Sequence, residues 1–255
     1  MKNILLYNLL LIFIVSSCDD VALKDEQKQD SSNGIMPQPL PNNNYFITEM
    51  DTSYLERIFL DYDLVNIKTL DSNIRVRLAY ADTNNFLHKN IYHGLRNAYF
   101  NCETAIKIVN AQHFLKIENT NYTLLILDAA RPHHIQQLMW DSLKMDAYYK
   151  HCYLSPPYEK SLHNYACAVD VTILDVSKNE VLDMGTNFDY FGKKSQPVFE
   201  DYYLKAGELS DKVIENRGIL RKVMVMAGMK PINSEWWHFA SFTKEEANKK
   251  FELIK

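Results

Sequence analysis

Glycine is scarce in this chain. Seven occur in 255 residues, and none stands in a G-x-G-x-x-G or G-x-x-x-x-G-K-[ST] pattern. The two glycine-built phosphate cradles are therefore missing, which excludes nucleotide binding through them. C-x-x-C is also missing: the four cysteines, Cys18, Cys102, Cys152 and Cys167, stand singly, so a zinc ribbon and a thioredoxin-like redox site are excluded. There is no basic stripe. The 28 Lys and Arg are scattered among 32 acids, for a net charge of −4, and nucleic acid is not an expected partner. From Tyr45 to Lys255 no linker-like break and no internal repeat appears, so this stretch reads as one domain. The regular βα alternation of a doubly wound sheet is absent too.

What is present begins with an export segment. Met1-Lys2-Asn3 is a short positive region, followed by an apolar run from Ile4 to Val15 broken only by Asn8. A run of that length with such flanks reads as a secretory signal, not a spanning helix. The small residues of Val15-Ser16-Ser17-Cys18 resemble a bacterial lipoprotein signal. That resemblance implies removal of residues 1–17, lipidation of Cys18 and anchoring to a bilayer, since two or more acyl chains hold stably where one does not. It implies an exported, membrane-anchored protein in the periplasm or at the cell surface. Residues 18–44 are polar, with Pro37, Pro39 and Pro41 and no apolar periodicity, and read as a disordered tether. Lipidation of Cys18 leaves three cysteines, an odd count that demands a free thiol or an intermolecular bridge. Cys167 reads as a small buried thiol.

Hydrophobic periodicity gives the elements of the domain at 45–255. Strand-like alternation runs through Leu64 to Tyr80, around Val65, Ile67, Ile74, Val76 and Leu78. Helical spacing runs from Asn97 to Leu115. Tyr122–Asp128 is a nearly continuous apolar run that fits a buried strand. Pro132 is placed to start a helix through Ile135, Leu138, Met139 and Leu143. Ala166–Leu174 reads as a strand, and Ser210–Gly228 as a helix with Ser210 as N-cap and Gly228 as stop. Glu235–Phe239 reads as a strand. Helices and strands alternate irregularly, which predicts an α+β domain: a small, mainly antiparallel sheet flanked by helices, with the metal site on the sheet.

Two clusters carry the chemistry. One is Ser161-Leu-His163-Asn-Tyr-Ala-Cys-Ala-Val-Asp170, the other Ser234-Glu235-Trp-Trp-His238. His163, His238 and Asp170 make a nitrogen and oxygen set that suits zinc and leaves one position for water. Glu235 has the chemistry to take a proton from that water. Any one of these residues taken alone is more often structural; the case rests on their occurring together, next to Asp128-Ala-Ala-Arg131-Pro132. His133 and His134 are the competing ligands and are read as exposed or structural. His163 and Asp170 are seven apart, so one regular strand cannot aim both at one ion. His163 must come from a loop before the strand. Glu235 and His238, three apart, need a bend, a bulge or a strand end.

These segments resemble the zinc D-alanyl-D-alanine dipeptidases, within the wider metallopeptidase group related to lysostaphin. The family's Ser-x-His-x-x-Gly-x-Ala-x-Asp is matched at 161–170 except for Ala166. Its Glu-Trp-Trp-His stands intact at 235–238. Asp128-Ala-Ala-Arg131-Pro132 and Met184-Gly-Thr-Asn-Phe-Asp189 match two further segments. The resemblance implies one zinc on His163, Asp170 and His238, with Glu235 as general base. It implies Arg131 as the group that stabilises the oxyanion, and Ser161, Asp189, Asp128 and Tyr80 as substrate-pocket residues. A free dipeptide has two charged ends, so Asp189 suits its ammonium and Ser161 its carboxylate. The implied reaction is zinc-dependent hydrolysis of D-Ala-D-Ala or a related D,D-dipeptide. A D,D-carboxypeptidase or endopeptidase acting on cell-wall peptides shares the same metal site. A lipoprotein that binds cell wall without catalysis is the reading from another class, and the intact Glu235 and Arg131 argue against it. Ala166 is the departure: if the backbone there needs positive φ, alanine is strained.

Overall fold

The computed structural model describes residues 53–146, 150–151 and 154–255. The signal, the lipidation site Cys18, the tether and Cys152 lie outside these residues. The domain is α+β, as expected from the irregular alternation.

Its centre is a six-stranded sheet with the order β2-β4-β5-β8-β7, and β6 attached to β5. The strands are β2 (Arg75–Val76), β4 (Tyr122–Asp128), β5 (Ala168–Asp175), β6 (Glu180–Val181), β7 (Lys230–Pro231) and β8 (His238–Ala240). Only β2 and β4 run parallel; the other pairs are antiparallel. β1 (Val65–Asn66) and β3 (Tyr99–Phe100) form a separate antiparallel pair. β4 and β5 explain their own apolar runs. Leu124, Ile126, Val169, Val171 and Ile173 join the main core, while Leu125, Leu127 and Leu174 pack in a smaller cluster. Both faces are covered, so both parities must be apolar.

Two long helices, α3 (Cys102–Glu118) and α6 (Asp211–Met226), pack together. Asn101 caps α3 by accepting from the Thr104 N–H at 2.9 Å, and its amide donates to the Ala166 carbonyl at 2.9 Å. A cap contributes about 1 kcal/mol. This one also ties the helix to the turn that carries His163. Ser210 caps α6 as expected, accepting from Val213 N–H at 3.2 Å, and Gly228 follows the helix with φ +81°. α4 (His133–Ser142) begins just after Pro132. Short helices α1 (Tyr54–Asp61), α2 (Ile67–Leu70), α5 (Glu200–Lys205) and α7 (Lys244–Lys250) complete the set used below.

Three local expectations change. Leu64–Tyr80 is not one strand: it breaks into β1, α2, β2 and a 3₁₀ turn at Ala79–Ala81. Asn66 interrupts it by accepting from Lys68 N–H at 3.1 Å, capping α2. The helix expected from Asn97 begins at Cys102, because Tyr99–Phe100 pair with β1. The strand expected over Glu235–Phe239 begins only at His238, because Trp236 N–H is drawn away to the Ser195 carbonyl at 3.1 Å.

Candidate active site

Cross-strand register builds the centre. A bulge between Ile126 and Asp128 puts Asp128 opposite Asp170, and Asp170 is opposite His238 on its other side. The bulge re-aims the end of β4. His163 stands on a 3₁₀ turn, Leu162–Tyr165, just before β5, outside the strand as the spacing required. Ser161 opens this turn. It accepts from His163 N–H at 3.3 Å, while Asn164 accepts from Ser161 N–H at 2.7 Å.

His163, Asp170 and His238 converge. His163 Nε2 lies 3.3 Å from His238 Nδ1 and 3.5 Å from Asp170 Oδ1, and His238 Nδ1 lies 2.9 Å from the same carboxylate oxygen. The second nitrogen of His163, Nδ1, is 2.7 Å from the Ala129 carbonyl, which can only accept. That fixes the tautomer: Nδ1 carries hydrogen and Nε2 presents its lone pair to the cluster. The set fits zinc. Two imidazole nitrogens and a carboxylate are the right donors, and a tetrahedral site with zinc–nitrogen bonds of about 2.0–2.1 Å has edges of about 3.3 Å. Burial would push the Asp170 carboxyl up, but the imidazoles of His163 and His238 outweigh it and hold it well below the usual carboxylate range. His133 and His134 take no part; His133 Nε2 bonds the Pro157 carbonyl instead.

Glu235 sits in the bend before β8, its Oε2 4.0 Å from His238 Nδ1 and its side chain 24% exposed. Burial pushes its carboxyl up to about 7; Asp170 and Asp189 add to this, while His238 and Arg131 oppose it.

Arg131 is buried and locked. Its Nε donates to Asp128 Oδ2 at 3.1 Å, Nη2 pairs with the same oxygen, and Nη1 donates to Gln136 Oε1 at 2.8 Å. Its backbone is zipped to the His163 turn: Arg131 N–H donates to the His163 carbonyl at 3.0 Å, and Asn164 donates to the Arg131 carbonyl at 2.8 Å. Asp128 is fully buried behind the guanidinium and also accepts from Tyr92 hydroxyl at 2.6 Å. It does not line the cavity. The structure places it as a support for Arg131 and not where it can touch a substrate.

The cavity, about 270 Å³, is lined by Tyr80, Arg131, Ser161, Asp189 and Glu235 together with the three clustered side chains. Tyr80 donates to both oxygens of Asp189, at 3.1 and 3.0 Å, and its ring lies under Arg131, 5.4 Å from the guanidinium carbon. Burial pushes Asp189 up to about 8, with Asp170 adding and the Tyr80 hydroxyl opposing. Asp189 has φ +60°, a conformation that aspartate tolerates better than most residues.

Ala166 has φ 52° and ψ 32°, the left-handed region, and is fully buried. The position does need positive φ, so alanine there carries strain of roughly 1–2 kcal/mol. Asn101 holds its carbonyl from two donors, the amide at 2.9 Å and the backbone N–H at 3.3 Å. Cys167 is buried and Cys102 exposed, both free thiols; burial pushes Cys167 up to about 12.

Sequence reasoning missed Tyr92, Gln136 and Asn164. Tyr92 reaches Asp128 from 36 positions away and Asn164 reaches the Arg131 carbonyl from 33, which no local pattern announces; Gln136, five residues after Arg131, and the Ser161–Asn164 capping pair are local signals that were passed over. It also missed Trp236 as a tie. Its indole donates to Thr186 hydroxyl at 2.9 Å, and its N–H donates to Ser195, so the segment carrying Asp189 is held to the one carrying Glu235.

The profile of the D-ala-D-ala dipeptidase family matches residues 61–255. The chain is 28% identical over 177 residues to the D-alanyl-D-alanine dipeptidase of Escherichia coli K12, a match covering 69% of this chain and 83% of that one. It is 28% identical over 131 residues to the enzyme of the same name from Enterococcus faecalis V583, covering 46% and 61%. The Enterococcus faecium enzyme of that name is 26% identical over 145 residues, covering 52% and 68%. With most of its length matched by one profile and its two clusters gathered into one cavity, the chain belongs to the D-ala-D-ala dipeptidase family.

Proposed function

We propose that this protein is a zinc metallopeptidase that hydrolyses D-Ala-D-Ala or a related D,D-dipeptide. The observation that carries the reading is the meeting of Glu235, the His163–Asp170–His238 cluster and a locked Arg131 in one cavity. His163 through Nε2, His238 through Nδ1 and Asp170 would hold the ion. Zinc bound there would supply Lewis-acid polarisation of the peptide carbonyl and of water.

The chain's own groups do the rest. Glu235 takes the proton of the attacking water and returns it to the leaving amine nitrogen. Arg131, positioned in advance by Asp128 and Gln136, meets the negative charge that grows on the carbonyl oxygen, so no reorganisation is needed at that moment. Asp189, oriented by Tyr80, takes the substrate ammonium. Ser161 keeps its hydroxyl hydrogen for the substrate carboxylate, because its oxygen already accepts from His163 N–H. The Ile4–Val15 run and Ser16-Ser17-Cys18 support export and lipid anchoring through Cys18, with residues 18–44 as tether.

Glu235→Gln tests the core of this reading. It preserves shape and metal ligands but cannot accept the proton, so kcat should fall by about 10²–10⁴-fold with zinc content unchanged. Wild-type turnover in that variant would remove Glu235 from the chemistry.

A further inference from the structure

We infer that Lys160 recognises the free α-carboxylate of the substrate's C-terminal residue and so restricts the site to peptides that end one residue beyond the scissile bond. The inference rests on the dipeptidase reading and narrows it: an endopeptidase has no terminal carboxylate to bind at that place.

The charges lining the cavity can be accounted for one by one. Asp170 belongs to the histidine cluster, and Glu235 lies beside it. The charge of Arg131 is met from behind by Asp128. Lys244, at the start of α7, has its ammonium 3.5 Å from Glu159. Two charges are left. Asp189 has the Tyr80 hydroxyl as its hydrogen-bond donor and no cation paired with it among the described residues. Lys160 lines the same cavity, is half-buried, and has no carboxylate within ion-pair distance among the described residues. One acid without a cation and one cation without an acid in a single small cavity form the complement of a zwitterionic dipeptide, whose ammonium would draw the Asp189 proton away on binding.

Backbone geometry supports the assignment. Lys160 has φ 60° and ψ 134°, a region sparsely populated by residues with a side chain. Such strain persists only where the surroundings over-determine it. Here they do: Lys160 N–H donates to the Pro157 carbonyl at 3.0 Å, and the next N–H, of Ser161, is held by Asn164 at 2.7 Å. Two successive 3₁₀ turns, Pro157–Glu159 closed by Lys160 and Leu162–Tyr165 opened by Ser161, therefore fix Lys160, Ser161 and His163. They place Lys160 and Ser161 on the wall of the cavity that holds the histidine–aspartate cluster, on a different segment from Asp189. An ammonium suits this task, being a compact point charge with three donors.

The experiment compares kcat/KM for D-Ala-D-Ala and for its C-terminal amide in wild type, Lys160→Met and Lys160→Arg, each at full zinc loading. Methionine keeps an apolar stem of similar length while deleting the charge. The expected result is a wild-type preference for the free acid on the order of 10–100-fold, the range of one charge-assisted hydrogen bond. In Lys160→Met that preference should collapse toward unity through loss on the acid alone, and Lys160→Arg should restore part of it. Equal wild-type turnover of acid and amide overturns the inference without recourse to any variant. So does an unchanged preference in Lys160→Met, or an equal loss on both substrates. If wild type cleaves neither compound, the dipeptidase reading falls, and the inference with it.

Discussion

Asp128→Asn isolates the support beneath Arg131. The native carboxylate is fully buried and receives four donors: Tyr92 hydroxyl at 2.6 Å, Ala129 N–H at 2.9 Å, Arg131 Nε at 3.1 Å and Arg131 Nη2. An amide of the same shape cannot satisfy them. If its oxygen faces Tyr92 and Ala129, its NH₂ faces the guanidinium, donor against donor. If it flips, the NH₂ faces the Ala129 N–H. In both orientations the Arg131 charge, 4% exposed, loses its compensating charge. Removing one member of a buried ion pair costs about 3–5 kcal/mol, a large share of the roughly 5–15 kcal/mol that keeps a domain folded. With a urea dependence of about 1–3 kcal/mol per molar, the unfolding midpoint should drop by at least about 1 M. Gln136 still holds Nη1, so the guanidinium stays near its place but loses alignment, and kcat should fall by about 10²-fold or more. Urea unfolding followed by circular dichroism at fixed zinc, with dipeptide turnover on the same samples, measures both. A stability loss under about 1 kcal/mol together with unchanged kcat would refute the argument, because the pair would then be solvated and Asp128 dispensable.

Asp189→Asn should raise KM for a dipeptide by about 10–100-fold through loss of the ammonium partner. Its effect on stability depends on pH. The native carboxyl is pushed up to about 8, above the ordinary value of about 4, so the folded state holds its proton longer than the unfolded one and loses stability as pH rises between these values. The variant carries no such loss, and its Tm should gain on wild type from pH 5 to pH 9; a constant difference would show that Asp189 is not desolvated. Ala166→Gly relieves roughly 1–2 kcal/mol of left-handed strain, but adds about 0.4–1 kcal/mol of unfolded-chain freedom and removes a buried methyl worth about 0.8 kcal/mol. The net change should stay within about 1 kcal/mol of zero, and a loss above about 2 kcal/mol would mean that packing and not backbone governs the position. Cys18→Ala should shift the protein from the membrane to the soluble fraction of fractionated cells; retention on the membrane would contradict anchoring at that residue.

Much of the site was legible because metal ligation forces residue types into short motifs. The separation of His163 from Asp170 was enough to place the histidine off the strand, and the structure sets it on a 3₁₀ turn. The long elements were legible for a related reason: β4, β5, α4 and α6 carry many apolar positions each, so their periodicity is sampled several times over. Short elements were not. At Leu64–Tyr80 the alternation was real, but a single cap by Asn66 redirected the chain. At Glu235–Trp237 an aromatic run with strand propensity was bent by a long-range bond from Trp236 to Ser195. Asp128 was read as a pocket residue from the family resemblance; its placement behind the guanidinium depends on Tyr92, 36 positions away, and on the bulge in β4.

β8 is three residues long and sits near the end of the chain, yet it contributes His238 to a cluster whose other members arrive much earlier. An ion shared by His163 and His238 would close a loop spanning 75 positions. Closing so long a loop has an entropic cost that a short strand meets poorly with backbone hydrogen bonds alone. Seating of the final strand and capture of such an ion would then be one event. With such an ion, a chain still missing its last segment would have no complete ligand set, and removing the ion should loosen the C-terminal edge.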